Sequence, residues 1–215
     1  MSSTDILNAI LDVGVIPIIR CESSEQALGA ARAIHHGGLP ALEVTMTVPG
    51  AVRLLERLAD EFGDEMILGA GTVLDPETAR ACMLAGAQFF VTPGLNVRTI
   101  EMAKRYSTPI FPGALTPTEV LTAWEAGADM VKIFPCEAMG GPSYIKALKA
   151  PLPQVHMAPT GGVGLDNAAE FIKAGADALA VGSSLMNKKA MEEGRFETIE
   201  AAAKQFRDVV AAARG

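Results

Sequence analysis

The stretch EAGADMVKI, residues 125–133, decides the fold because the chain contains it in four related versions. The other three are HGGLPALEV (36–44), LAGAQFFV (84–91) and KAGADALAV (173–181). Each has a glycine five residues before a position inside a short apolar run, and successive glycines lie 48, 41 and 48 residues apart. Such spacings correspond to two strand–helix units each, so the repeat predicts paired units in regular succession.

Short runs rich in Val, Ile, Leu and Phe alternate with longer segments that carry Ala, Glu, Lys and Arg at helical spacing. The predicted strands are 15–20, 40–46, 66–72, 88–94, 109–115, 130–135, 155–162 and 178–184. The predicted helices include 4–13, 24–36, 50–62, 76–85, 117–126, 167–174 and 196–213. This α/β pattern favours a (β/α)8 TIM barrel, a single domain over residues 1–215 whose first helix caps the barrel. A doubly wound open sheet is the alternative, because a pattern alone does not show closure.

Composition limits the classes of function. The chain has 215 residues, of which 49% are hydrophobic and 20% charged, enough for one large core. A net charge of −7 without a cluster of Lys and Arg argues against nucleic acid or an anionic membrane as a partner. Three scattered cysteines predict no disulfide framework, and the first residues lack a basic targeting segment, so we expect a cytoplasmic protein.

Two charged residues stand inside predicted strands. Lys132 lies in MVKIFP, and Glu43 lies in PALEVTM at the equivalent position of the repeat. Alternate strands of a (β/α)8 barrel contribute inward side chains to one layer, so both residues should lie at one height inside the barrel. Burial disfavours the charged form of an amine and frees it as a nucleophile, which predicts imine chemistry on a carbonyl substrate with Glu43 moving protons. The alternative is a buried ion pair without further function, although such pairs contribute little to stability.

The remaining lysines occur in segments of helical or loop character. We expect all of them to be solvated, which leaves Lys132 as the one candidate nucleophile among the lysines.

Glycine-rich turns follow the last two predicted strands, PTGGVG at 159–164 and VGSS at 181–184. The corresponding loops of TIM barrels often hold phosphate through backbone N–H groups and a helix N-terminus. Ordinary turn formation would explain either turn alone. Together they predict a phosphate-binding site.

Six segments give the chain a close resemblance to the 2-keto-3-deoxy-6-phosphogluconate aldolases, also called KHG/KDPG aldolases. They are LEVTMTVPGA, LGAGTVLD, FFVTPGLN, PGALTPTE, KIFPCEAMGG and APTGGV, in this order along most of the chain. The resemblance implies a (β/α)8 barrel, usually a homotrimer, that acts in the Entner–Doudoroff pathway. It also implies class I (Schiff-base) cleavage of the phosphorylated keto-deoxy sugar acid to pyruvate and glyceraldehyde 3-phosphate, without a metal or other cofactor.

The resemblance also implies roles for individual residues. By it, Lys132 is the Schiff-base lysine and Glu43 is the general acid/base. The positions that line the pyruvyl pocket are Thr72, Pro93, Phe134 and Thr160. The positions in the phosphate-binding turns are Gly161, Gly162, Gly182 and Ser183.

The chain departs from the family pattern at Thr47, where some members have an arginine for the substrate carboxylate. We expect Arg20, at the end of the first strand, to take that role, because a planar guanidinium can hold a carboxylate through two hydrogen bonds. A pairing of Arg20 with a helix carboxylate is the alternative. Cys136, four residues after Lys132, is expected to be a small packing residue.

Several alternatives for the function stay open at this point. The substrate could be the 6-phosphogalactonate epimer, the unphosphorylated sugar acid or 4-hydroxy-2-oxoglutarate, because the motifs do not encode the configuration of one hydroxyl. A metal-dependent aldolase is disfavoured, since the three histidines form no ligand pattern. A non-catalytic phosphosugar-binding barrel is the alternative from another class, but binding alone gives no reason to bury Lys132 and Glu43.

Overall fold

The computed structural model describes residues 1–215, and every predicted strand segment is present in it. The strands are β1 (Val15–Ile19), β2 (Ala41–Thr45), β3 (Ile67–Gly71), β4 (Phe89–Val91), β5 (Ile110–Phe111), β6 (Gly113–Ala114), β7 (Val131–Ile133), β8 (Met157–Pro159) and β9 (Leu179–Val181). The fifth predicted segment is divided into β5 and β6. Pro112 lies between them and has no N–H to donate to a neighbouring strand.

The seven predicted helices are present within one residue at each end. The sequence pattern did not single out three further helices, Val97–Arg105, Pro142–Lys149 and Lys188–Glu192. The helices are α1 (Ser3–Val13), α2 (Ser24–His36), α3 (Ala51–Phe62), α4 (Pro76–Leu84), α5 (Val97–Arg105), α6 (Pro117–Glu125), α7 (Pro142–Lys149), α8 (Ala168–Lys173), α9 (Lys188–Glu192) and α10 (Glu197–Arg214). None of them combines the length and the apolar character that crossing a membrane requires.

The parallel strands form two sheets. The hydrogen-bonded strand pairs therefore do not show the single closed ring of eight strands that we predicted. A six-stranded sheet has the order β5-β4-β3-β2-β1-β9, and a three-stranded sheet has the order β6-β7-β8. One of the two gaps between the sheets lies at Pro112, between β5 and β6. At the second gap, between β8 and β9, a single bridge joins Thr160 to Ala180; the neighbouring residue Pro159 also lacks an N–H. The order follows the chain and places β9 beside β1, so it is not the reversing order of a doubly wound sheet.

The repeat glycines have a conformational cause. Gly38, Gly86, Gly127 and Gly175 all have positive φ, between 79° and 103°, where a side chain would be strained. They allow the chain to leave a helix and enter the next strand in one tight turn.

The residue two positions after the glycine binds the preceding strand in three of the four repeats. Asp129 accepts a hydrogen bond from the Ile110 N–H, and Asp177 accepts one from the Met157 N–H. Gln88 does the same for Leu68 through its amide oxygen.

Two lysines contradict the expectation that all lysines except Lys132 are solvated. Lys104 pairs with Asp129 and Lys149 with Asp177, both at 2.7 Å, and the side chain of Lys149 is only 15% exposed. The repeated aspartate therefore also binds a lysine from the helix that precedes the neighbouring strand, α5 for Asp129 and α7 for Asp177. Both pairs lie where the chain enters its strands, on the side away from Lys132 and Glu43.

Buried residues form two layers. A cluster of 55 residues lies between the strands and the surrounding helices. A second cluster of 13 fills the space enclosed by the curled sheets, with contributions from nearly every strand. Ile6 and Ile10 of α1 belong to this inner cluster, so α1 covers one end of it as predicted.

Candidate active site

Lys132 and Glu43 are both buried, with 6% and 1% of their surface exposed. Lys132 is the middle residue of β7 and pairs in register with Gly113 and Ala158. Glu43 is the middle residue of β2 and pairs with Ile18 and Gly69. The extended backbone of each strand carries the charged group into a region that contains few polar atoms.

The two charged groups do not form the ion pair considered as an alternative. The lysines that make ion pairs are Lys104, Lys149, Lys188 and Lys189. Both carboxylate oxygens of Glu43 are buried without a hydrogen-bond partner. A buried carboxylate without hydrogen-bond partners costs folding free energy. The fold therefore retains an unsatisfied polar group that a bound ligand could satisfy.

Burial raises the pKa of Glu43 above its ordinary value, while the positive charges of Lys132 and Arg20 act in the opposite direction. A carboxyl group with a raised pKa takes up and releases protons closer to neutral pH. Glu43 is thus suited to move protons.

Gly71, at the end of β3, makes room for the Glu43 side chain. A methyl group built at Gly71 would overlap the Glu43 carboxylate. Gly69, two residues earlier, makes room in the same way for the ring of Phe89. The glycines of GAGT therefore serve side chains of neighbouring strands.

We expect Gly71→Ala to lower kcat by about 10- to 100-fold, because the added methyl displaces the carboxylate of Glu43 by roughly 1 Å or more. Gly94→Ala is the matched control, since a methyl group there meets no atom within 4 Å. Steady-state kinetics of both variants, with circular dichroism to check folding, test this. Equal kcat in the two variants would show that the position of Glu43 does not matter.

A cleft of about 710 Å³ opens where β1, β8 and β9 end. Seven of the predicted site residues line it: Arg20, Phe134, Thr160, Gly161, Gly162, Gly182 and Ser183. Lys132 and Glu43 are not in its wall. Phe134 connects the two regions, because it lines the cleft and its ring centroid lies 5.2 Å from Nζ of Lys132.

The two glycine-rich turns line the cleft and contain unused hydrogen-bond donors. The backbone N–H groups of Gly162, Val163, Gly182 and Ser183 donate to no acceptor in the protein. The hydroxyl of Ser184 donates to the Val163 carbonyl at 2.5 Å and ties the turns together. Free backbone N–H groups in turns that line a cleft can bind an anion.

Arg20 lies immediately after β1 and is exposed in the cleft. It makes none of the molecule's ion pairs, so the alternative in which it pairs with a helix carboxylate is wrong. Thr47, the position at which the sequence resemblance implies an arginine in some family members, shares a 2.8 Å hydrogen bond with Thr45, whose hydroxyl also donates to the Ile19 carbonyl beside Arg20. A free guanidinium therefore remains available to a ligand.

The other two predicted pocket residues, Thr72 and Pro93, lie beside the buried pair and outside the cleft. Thr72 directly follows Gly71 and has a φ of 57°, which is rare for a β-branched residue. The backbone of Pro93 packs against Gly113, the register partner of Lys132.

Cys136 is fully buried, and burial raises the pKa of its thiol to about 11. Its sulfur lies 3.8 Å from the Gly141 carbonyl. A thiol in this state is a packing group, as expected.

Several cleft residues had not been singled out from the sequence. The polar ones include Glu22, Gln26, Lys188 and Glu192. They come from the segment after β1 and the segment after β9, which are distant in the sequence, and no motif marks them. No group of three or more His, Cys, Asp or Glu side chains is arranged to hold a metal ion.

Comparison with known proteins shows which family this chain resembles. Residues 6–202 match the family model for KDPG and KHG aldolase. The chain is 36% identical over 205 residues to the 2-dehydro-3-deoxy-phosphogluconate aldolase of Treponema pallidum (strain Nichols), covering 95% of this chain and 97% of that protein. It is 37% identical over 197 residues to the 2-dehydro-3-deoxy-6-phosphogalactonate aldolase of Escherichia coli (strain K12), covering 91% and 96%.

A solved structure agrees with the sequence relatives. The KDPG aldolase from Legionella pneumophila, with pyruvate captured at low pH as a covalent carbinolamine intermediate, superposes with a TM-score of 0.86 at 30% identity. That superposition covers 93% of this chain and 96% of the other. This chain therefore belongs to the KDPG and KHG aldolase family.

Proposed function

We propose that this chain is a class I aldolase that cleaves 2-keto-3-deoxy-6-phosphogluconate to pyruvate and glyceraldehyde 3-phosphate. The observation that carries the proposal is the pair formed by Lys132 and Glu43, both buried and neither held by an ion pair. A buried amine and a buried carboxylate without partners are costly for folding. Imine chemistry on a bound keto acid uses the amine as the nucleophile and the carboxylate as the group that moves protons.

In the first half of the reaction, Nζ of Lys132 attacks the C2 carbonyl carbon of the substrate and gives a carbinolamine. Loss of water, with Glu43 supplying the proton, converts it to a protonated imine between Nζ and C2. The positively charged nitrogen then draws electrons from C3. This electron sink does the work that a metal ion performs in other aldolases, so we propose that no metal or other cofactor takes part.

In the second half, Glu43 accepts the proton of the C4 hydroxyl. The C3–C4 bond breaks, its electron pair forms the C2–C3 double bond of an enamine, and C4 leaves as the aldehyde. Glu43 returns the proton to C3, and water hydrolyses the pyruvyl imine to pyruvate and the free amine of Lys132. Thr72, Pro93, Phe134 and Thr160 are proposed to enclose the pyruvyl part.

The two ends of the substrate have separate partners in the cleft. We assign the carboxylate to Arg20, whose guanidinium is unpaired and whose charge acts on Glu43. The phosphate is assigned to the turns that contain Gly161, Gly162, Gly182 and Ser183, which line the cleft and have N–H groups without an acceptor in the protein.

Arg20→Ala should raise KM for the keto acid by about tenfold or more and change kcat much less, because charge-assisted bidentate contacts hold the substrate before and during the reaction. Arg98→Ala, on the outer helix α5, is the matched control. Kinetics of both variants measure the effect. An unchanged KM in Arg20→Ala would assign the carboxylate to another group.

Three broader features belong to the same proposal. We infer that the two sheets act as one closed (β/α)8 barrel and that residues 1–215 are a single domain, supported by the two short seams at Pro112 and at the Thr160–Ala180 bridge. We also infer a homotrimer acting in the cytoplasm in the Entner–Doudoroff pathway, on the basis of family membership.

A substrate panel tests the proposed function. The relatives include an aldolase named for the 6-phosphogalactonate epimer, and the matching family also includes KHG aldolases. Pyruvate release should therefore be measured for the gluconate and galactonate 6-phosphate acids, the unphosphorylated acid and 4-hydroxy-2-oxoglutarate. The highest kcat/KM is expected for the 6-phosphogluconate compound. Binding without pyruvate release from any of the four would support the phosphosugar-binding alternative.

A further inference from the structure

Lys188 gives the cleft a second positive charge besides Arg20. It is the first residue of α9 and was expected from the sequence to be an ordinary solvated lysine. Its neighbour Lys189 does not line the cleft and pairs with Glu193 on its own helix at 3.9 Å. Of the two adjacent lysines, only Lys188 lines the cleft.

Lys188 is held in the cleft by two carboxylates. Its Nζ lies 3.2 Å from Oε1 of Glu22 and 3.7 Å from Oε1 of Glu192, and both glutamates also line the cleft. Glu22 follows β1, so its contact with Lys188 joins segments 166 positions apart across the cleft. Nothing in the fold of α9 alone requires that contact.

The pair between Lys188 and Glu22 is easily exchanged. The two side chains are 75% and 79% exposed, and ion pairs with such exposure contribute little to stability. A phosphate monoester carries a charge of about −2 and three acceptor oxygens, compared with a single charge on the Glu22 carboxylate. Phosphate would therefore compete well for the ammonium group.

The charge of the phosphate requires a cation at the phosphate end of the substrate. The protein carries a net charge of −7, and the backbone N–H groups of Gly162 and Ser183 supply only partial charges to a dianion. Arg20 is assigned to the other end of the substrate. Lys188 is the remaining cation in the cleft wall, five positions after Ser183 along the same segment.

We propose that Lys188 is a specificity residue that selects substrates with a terminal phosphate, exchanging its contact with Glu22 for the phosphate when the substrate binds. This inference rests on the proposed aldolase function and names the residue that distinguishes phosphorylated from unphosphorylated keto acids at the same site. Glu22 holds the ammonium group in the cleft when no substrate is present.

Lys188→Met tests the proposal, with Lys189→Met as the matched control. We expect the Lys188 variant to raise KM for the phosphorylated substrate about tenfold, because a charge-assisted contact is lost, with kcat nearly unchanged. KM for the unphosphorylated acid should stay within about twofold, as should both values in the control. Inorganic phosphate should also inhibit the Lys188 variant less than the wild type.

Glu22→Gln provides a change in the opposite direction. Without the Glu22 carboxylate, only the longer contact with Glu192 competes with phosphate for Lys188, so KM for the phosphorylated substrate should fall about twofold. Equal effects of Lys188→Met on the two substrates, or equal effects of Lys188→Met and Lys189→Met, would overturn the inference. The proposed function fails separately, if wild-type protein forms no imine with pyruvate at Lys132.

Discussion

Replacing Lys132 with alanine is expected to abolish turnover, with a loss of at least about 10⁵-fold in kcat. The imine that accepts electrons from the C3–C4 bond forms only on this amine, and no other lysine lines the interior beside Glu43. Effects of this size are typical when the nucleophile of a covalent mechanism is removed. The assay is pyruvate release from the phosphorylated keto acid.

A second variant separates loss of chemistry from loss of folding. Lys132→Met keeps most of the side-chain volume and removes the nucleophilic amine, so it should fold like the wild type and be as inactive as Lys132→Ala. Lys146→Ala, an exposed lysine of α7, is the control that should retain full activity.

Trapping identifies the nucleophile directly. Incubation with pyruvate and borohydride should leave a reduced pyruvyl adduct on Lys132 of the wild type and none on either Lys132 variant, as peptide mapping by mass spectrometry would show. An adduct on Lys104 or Lys149 instead would mean that the strand lysine is structural, and the mechanism would have to be rebuilt.

The repeat in the sequence predicts much of the fold for a physical reason. A glycine with positive φ is needed wherever a helix turns sharply into a strand, so Gly127 and Gly175 mark strand starts as reliably as the apolar runs do. Closure could not be predicted in the same way. It depends on which N–H groups pair at the seams, and Pro112 and Pro159 interrupt the ladders there.

Some residues of the candidate site could be predicted from the sequence, and others could not. Lys132 and Glu43 stand out in the sequence because a charged residue in an apolar strand is rare and needs a reason. Lys188 and Glu22 do not stand out, because each is an ordinary charged residue at or just before the start of a helix. Only the fold brings them to 3.2 Å from each other. Free N–H groups at Gly162 and Gly182 are also a property of the folded backbone, although the glycines themselves hint at them.

Replacing Glu43 with glutamine should lower kcat by about 100-fold or more, since an amide cannot accept the C4 proton or return it to C3. Imine formation with pyruvate should be slower but still detectable, because Lys132 is intact. Single-turnover kinetics and borohydride trapping on the same sample would distinguish the two effects. Near-normal kcat in Glu43→Gln would remove Glu43 from the proton-transfer role.

The same substitution should make the protein more stable at neutral pH. Because the pKa of Glu43 is raised in the folded protein, the folded state binds a proton more tightly than the unfolded state does. Stability of the wild type therefore falls as pH rises from the ordinary glutamate range through the raised pKa, and this loss is absent in Glu43→Gln. We expect a gain of about 1–2 kcal/mol at pH 7, the order of the cost of a buried unsatisfied group, and almost none at pH 4.

Urea unfolding at the two pH values measures this difference, with Glu101→Gln on the exposed side of α5 as the control for removing one negative charge. A gain at pH 7 that Glu101→Gln reproduces would reflect net charge and not the buried site. A gain confined to Glu43→Gln, together with the loss of kcat, would show that the fold tolerates an unfavourable carboxylate at this position because the reaction needs it.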